Sequence, residues 1–370
     1  MSALKALAGN RGSRARLRSG RALSGRSAAA AGLLRRLGWW RAVAVLVGAG
    51  LLALGIVLLL AKLAGYSRFV DSLRGADPGW IALAPVGQAV AYIGYIAAFR
   101  AAARLDGGPR LSVWLSTRVV FASLGATRMF AAAGAGGIAV LYWVLRRAGV
   151  RRHEAIVRVL GFDILLFAFL GAVVWGAALA VELGRGQAPA AMTLSWLVGV
   201  TACVVGGVAA TLLVPLRDPL DPPATGRLRR ALADAVGGLV LVRRLVARPL
   251  ASREALLGTV LYWVGDVLCL WAGLRAFDVE IGASALVLAY ATGYVAIALP
   301  LPTGGVGGVD AAMTLALIWV GVPLAPALLG VFAYRFFSFL VPTLPGIAAL
   351  ATLPLLGREL RAAARPRASS

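Results

Sequence analysis

The chain has 370 residues, 60% of them hydrophobic and 14% charged, with a mean hydropathy of +0.85. Soluble domains carry about 25% charged residues, so this balance excludes a water-soluble body and points to helices in lipid. Lys and Arg outnumber Asp and Glu 38 to 15, a net charge of +23, but the basic residues sit in tails and alternate loops. That distribution reads as positive-inside topology and attraction to anionic lipid, not as a nucleic-acid surface. Both cysteines, Cys203 and Cys269, fall inside apolar runs, and the single histidine, His153, lies in a basic loop. Neither a disulfide framework nor a metal or other cofactor is expected.

Residues 1–41 hold ten Lys/Arg and no acid. They read as a disordered basic cytoplasmic tail; the rival reading, a cleaved Arg-rich targeting segment, lacks a small-residue cleavage site. Hydrophobic segments then follow at about 42–61, 80–99 and 111–131. Gly-rich residues 134–137 open a short segment, 138–145. Long segments cover 160–181 and 193–214, and after a charged linker come 256–274, 283–299, 309–320 and a last pair, 325–341 and 343–356. A helix needs about 20 residues to cross roughly 30 Å of hydrocarbon, so the expected fold is all-α, a polytopic transmembrane bundle over 42–356. Its halves run over about 42–215 and 255–356. Residues 357–370 form a second cytoplasmic tail.

Loop charge orients these segments. The basic stretch 145–159 (Arg146, Arg147, Arg151, Arg152, Arg158) and the linker 216–254, with eight Arg against four acids, face the cytoplasm. The loops at 183–192 and at Asp278 and Glu280 lack a basic excess and face outward, which leaves both termini on the cytoplasmic side of the plasma membrane. The linker reads as an amphipathic interfacial helix with Leu228, Leu232, Val236, Leu239 and Val240 on its apolar face.

Two places break the pattern of spans, and they resemble each other. Residues 134–139 read GAGGIA and 305–310 read GVGGVD; each opens a short apolar segment, and a Gly-Val pair recurs after each, at Gly149 and Gly321. Glycines in spans serve close helix packing, but two matched breaks favour re-entrant half-helices and an internal, inverted repeat. Non-helical backbone at membrane depth is tolerated only where protein or a water-filled cavity covers it. Short helices starting there aim their amide dipoles at anions such as lipid phosphates. A dinucleotide-binding reading of these glycines fails, because no strand precedes them.

Charged residues inside or at the edge of apolar segments are Arg118, Arg128, Asp163, Asp266, Asp310 and Arg335. A charge at that depth costs about 2.5–3.5 kcal/mol on insertion scales, so such residues face the interior, pair, or line a pathway. Ion pairs fixing helix register and arginines reaching to the interface are the plainer alternatives.

The stretch ALPLPTGGVGGVDAAMTLALIWVGVPLAPALLGVFAYRFF (298–337) resembles the signature of the lysylphosphatidylglycerol synthase transmembrane region, also called the flippase-like integral membrane family. The matching residues are Pro300, Pro302, Gly304, Gly305, Gly307, Asp310, Gly321, Tyr334 and Arg335, and residues 134–150 resemble a companion motif ending in Arg146, Arg147 and Gly149. The family's usual Glu is Asp310 here, and the Glu and Arg usual in its first motif are replaced by Ile138 and Leu141. The resemblance implies movement of lipids or lipid-linked headgroups between leaflets, without the aminoacyltransferase domain and without enzymatic activity. The implied site comprises Asp310, Arg335, Tyr334, Gly304, Gly305, Gly307 and Pro302, joined by Arg118 and Arg128. Its partner is an anionic phospholipid or a polyprenyl-linked substrate; the oligomeric state is open, a homodimer included. No nucleotide-binding motif is present. Rival readings are a membrane enzyme acting on lipid carriers, a non-transporting membrane subunit, and an ion-coupled solute transporter. The enzyme would need paired acids, a metal cluster or an activated nucleophile, and the sequence supplies scattered single acids.

Overall fold

The computed structural model describes residues 74–129, 135–213, 220, 226–298, 307–357 and 359–360. The basic N-terminal tail and the first expected segment, 42–61, lie outside them, as do most of the C-terminal tail and the Pro/Gly-rich lead at 299–306. The described residues belong to one compact unit and form ten helices with no β-strand among them.

In chain order these are α1 (Pro78–Arg104), α2 (Val113–Met129), α3 (Ala135–Arg147), α4 (Arg152–Glu182) and α5 (Ala190–Leu213). After them come α6 (Arg227–Ala247), α7 (Arg253–Arg275), α8 (Ala283–Tyr294), α9 (Gly308–Trp319) and α10 (Leu324–Thr352). Helices α1, α4, α5, α7 and α10 are long and apolar enough to cross a membrane, while α8 and α9 have 12 residues each and α3 has 13. The chain is therefore a multi-pass membrane protein with short helices among its spans. Helix α5 carries Val198, Val204, Val205, Leu212 and Leu213 on exposed positions, the composition of a lipid-facing edge.

The helix ends follow local chemistry. Asp77 caps α1, its carboxylate accepting the Gly79 N–H at 2.7 Å, and Pro78 fills the first helical position. The short helices α3 and α9 end alike. Gly149 (φ 87°) and Gly321 (φ 99°) adopt the left-handed conformation, and the amides of Val150 and Val322 close onto Leu145 and Leu317 carbonyls. These are paired Schellman stops, and they explain the recurring Gly-Val pair.

Helices α1 and α7 form the central antiparallel pair. The Asp77 N–H donates to the Ala276 carbonyl at one end, and Glu254 pairs with Arg104 (2.5 Å) and Arg100 (3.2 Å) at the other. Small residues let the backbones touch: a Cβ on Gly265 would stand 2.5 Å from the Ala91 nitrogen and the Gly87 carbonyl oxygen, and Gly94 and Gly258 meet in the same way. Gly87 and Gly94 are matched 171 positions later by Gly258 and Gly265, and Gly136 and Gly137 by Gly307 and Gly308 at the same interval. The contacts correspond as well. Helix α2 packs on α3 and α10, and α8 packs on α9 and α4.

Four expectations are corrected. The two segments 325–341 and 343–356 are one helix, α10, carried past Pro342 by a π-helical turn at Phe336–Leu340. Helix α4 starts at Arg152, eight residues before the expected segment. Its Arg158, 1% exposed, is buried against the end of α1, donating to the carbonyls of Ala102 and Ala103 while pairing with Glu154. The segment 283–299 forms α-helix only to Tyr294 and tightens to a 3₁₀ turn over Val295–Ala298. Helix α6 forms within the expected linker with Val236 buried and Leu239 and Val240 half-buried as expected, but Leu232 is exposed and Ala233, Leu241 and Leu245 are buried instead. It packs on α4, where Gly238 meets Gly161, and His153 Nδ1 lies 2.5 Å from Asp234 Oδ1.

Candidate functional site

A cavity of about 1560 Å³ opens among the helices. The first turn of α3 (Gly137, Ile138) and the first turn of α9 (Val309) both reach it, so the starts of the two short helices share one space. Its charged lining residues are Arg128, Asp163, Asp266 and Arg335. Most of the rest of the wall is aromatic and aliphatic, including Tyr92, Tyr95, Tyr262, Trp263, Tyr294 and Phe339. Charges beside so apolar a wall interact more strongly than they would in bulk water.

Asp310 occupies the third position of α9. One carboxylate oxygen accepts the Gly307 N–H at 2.8 Å, half of a capping box, where Gly307 itself turns at φ 81°. The other oxygen lies 2.6 Å from Arg335 Nε, both side chains being 15% exposed. Neither of these two atoms has an aligned hydrogen-bond partner among the described residues, so the contact is coulombic. The shorter Asp still spans both the cap and the arginine.

Arg128 comes from the last turn of α2 and reaches the π turn of α10. It donates to Thr343 Oγ1 at 2.9 Å and to the Ser338 carbonyl at 2.7 Å, and the Tyr92 hydroxyl donates to that same carbonyl at 2.9 Å. The reason lies in the sequence: Pro342 has no N–H to give to Ser338, four residues back, so that carbonyl is free for side chains. Both guanidinium groups lie over the ring of Phe339, Arg128 at 4.8 Å and Arg335 at 4.7 Å from its centroid. Two cations thus gather around one aromatic ring, and one carboxylate, Asp310, pairs with Arg335.

Beneath this pair lies a fully buried polar knot. Asp266 Oδ2 accepts the hydroxyls of Tyr290 (2.5 Å) and Tyr334 (2.6 Å). Tyr334, expected at a substrate site, lines the cavity with 2% of its surface exposed and gives its hydroxyl to Asp266, a bond that braces α10 against α7.

The structure brings Asp310, Arg335, Gly307, Tyr334 and Arg128 into one neighbourhood. Arg118 is elsewhere: it donates to Thr352 at 3.2 Å, lies 5.9 Å from the Trp114 ring centroid and does not line the cavity. Pro302, Gly304 and Gly305 fall outside the described residues. Sequence reasoning did not anticipate Phe339, Tyr92, the Ser338 carbonyl or the Tyr290–Asp266–Tyr334 knot. Tyrosines in the middle of apolar runs, as in AYATGY at 289–294, are the signal that pointed there.

The family model described as "Lysylphosphatidylglycerol synthase TM region" matches residues 24–346. No curated protein matches the chain.

Proposed function

Because the chain belongs to the lysylphosphatidylglycerol synthase transmembrane-region family, we propose that it is a non-enzymatic translocator of lipids or lipid-linked headgroups in the plasma membrane, with both termini in the cytoplasm. The observation that carries this reading is the convergence of Arg128 and Arg335 over Phe339, in a cavity reached by the first turns of both short helices. A phosphate entering there would meet two guanidinium donors, and Asp310 would release Arg335 to it. An anionic phospholipid or a polyprenyl-linked phosphate supplies that group. The aromatic and aliphatic wall suits the acyl or prenyl chain.

The same reading makes the molecule an inverted repeat. Helices α1 to α4 correspond to α7 to α10 in order, the matched glycines recur after 171 or 172 positions, and α1 runs antiparallel to α7. The hairpins α2–α3 and α8–α9 then enter from opposite faces as re-entrant pairs and meet at the cavity. The test is reconstitution. Liposomes holding the protein should move a labelled phosphatidylglycerol between leaflets faster than empty liposomes, and equal rates across a broad panel of lipids would sink the proposal.

A further inference from the structure

Asp163 lies across the repeat from Arg335. Both stand eleven residues after the first residue of their long helix, α4 from Arg152 and α10 from Leu324. At 1.5 Å per residue each is about 16 Å in from its own end, near the middle of the bilayer if the halves are inverted. Both line the cavity. Arg335 has Asp310 against it, but Asp163 has no ion pair among the described residues, and its buried Oδ2 has no hydrogen-bond partner among them.

We propose that Asp163 is a monovalent-cation subsite of this cavity, opposite in charge to the arginine pair. It rests on the reading of the cavity as a lipid-headgroup site. The surroundings leave the role to this residue. Helix α1 brings Tyr95 to the cavity wall, α7 brings Tyr262 and Asp266, α8 brings Tyr294 and α5 brings Cys203, while the cavity-lining residues of α3 and α6 carry no charge. Tyrosine and cysteine are neutral donors near pH 7, and Asp266 Oδ2 is engaged by two hydroxyls. An unpaired acid at membrane depth marks a pathway or a site more often than a strut. A positive charge in its place could be an ammonium group on the bound lipid, or a free proton or sodium ion that cancels repulsion between Asp163 and the phosphate.

Binding of two short-chain lipids to the full protein in detergent separates these sources. Dihexanoylphosphatidylethanolamine carries a phosphate and an ammonium; dihexanoylphosphatidylglycerol carries the phosphate alone. If the ammonium is the ligand, the wild type prefers the ethanolamine lipid by about tenfold, and Asp163→Asn erases the preference while Asp163→Glu keeps it. If a free cation is the ligand, phosphatidylglycerol binding tightens about tenfold in sodium or at lower pH, and Asp163→Asn binds tightly and without that response. Binding that depends on Asp163 in protein that moves no lipid would support the subsite and remove the transport reading. Wild-type protein that binds neither lipid overturns the subsite. So does an Asp163→Asn variant with wild-type preference and wild-type response to sodium and pH.

Discussion

At the scale of single residues, the Asp310–Arg335 pair separates a transport site from a scaffold. Removing one partner of a buried ion pair costs about 3–5 kcal/mol because the other is left charged and alone. These side chains are 15% exposed, so the lower end of that range applies. Asp310→Asn should therefore lower the melting temperature in detergent, and a phosphate-bearing lipid should restore it, because the freed guanidinium gains a new partner. Arg335→Gln should lower stability less and abolish lipid movement without lipid rescue. If both variants lose stability alike and neither is rescued, the pair only holds α9 to α10. Tyr334 makes a contrasting case. Its hydroxyl ends on Asp266, so Tyr334→Phe should cost about 1–3 kcal/mol of stability, the range for a buried polar group that loses a hydrogen-bond partner. The fall should show as a lower denaturation midpoint and leave headgroup preference unchanged.

At the scale of helices, the packing glycines and the π turn are open to test. Gly265→Val would press a side chain into the Ala91 and Gly87 backbone at 2.5 Å. Overpacking of this kind costs about 1–3 kcal/mol or more, so the α1–α7 seam should splay and the melting temperature fall, whereas Gly176→Val, with nothing within 4 Å of its Cβ position, should be tolerated. Pro342→Ala should return an N–H to the Ser338 carbonyl, tighten the π turn, and take one acceptor from Arg128 and Tyr92. The expected result is near-normal stability with impaired lipid movement in liposomes; unchanged movement would show that the π turn serves packing alone. Helices of this kind were largely legible in the sequence, because apolar runs near 20 residues and Gly-Val stops are local signals. The failures have physical causes. Pro342 reads as a helix end but is absorbed by one π turn. Arg158 reads as a loop cation but is buried on α1 carbonyls that sequence spacing does not reveal. The knot around Asp266 joins residues 24 and 68 positions away, and no periodicity encodes such a meeting.

At the scale of the whole molecule, the proposed inverted repeat makes a prediction that no single helix makes. The basic end of the bundle gathers Arg104, Arg146, Arg147, Arg151, Arg152 and Arg253 against Glu154 and Glu254, while the opposite end carries Arg185 and Arg275 with Glu182, Asp278 and Glu280 and the uncharged turn between α9 and α10. Under the proposed topology, positive-inside bias would put the first end in the cytoplasm. Arg151 and Pro323 are the N-cap residues of α4 and α10, 172 positions apart, and both are exposed. In a parallel repeat they would share one face of the membrane. In an inverted one they cannot, because α3 returns to the face from which α2 entered, and α9 returns to the opposite face. In a background with Cys203→Ser and Cys269→Ala, Pro323→Cys should react with a membrane-impermeant maleimide in intact cells, and Arg151→Cys only after permeabilisation. Gln187→Cys, in the α4–α5 turn, should behave like position 323, and Arg248→Cys, after α6, like position 151. Labelling of 151 and 323 from the same side would remove the inverted repeat, and with it the argument that sets Asp163 at the depth of Arg335.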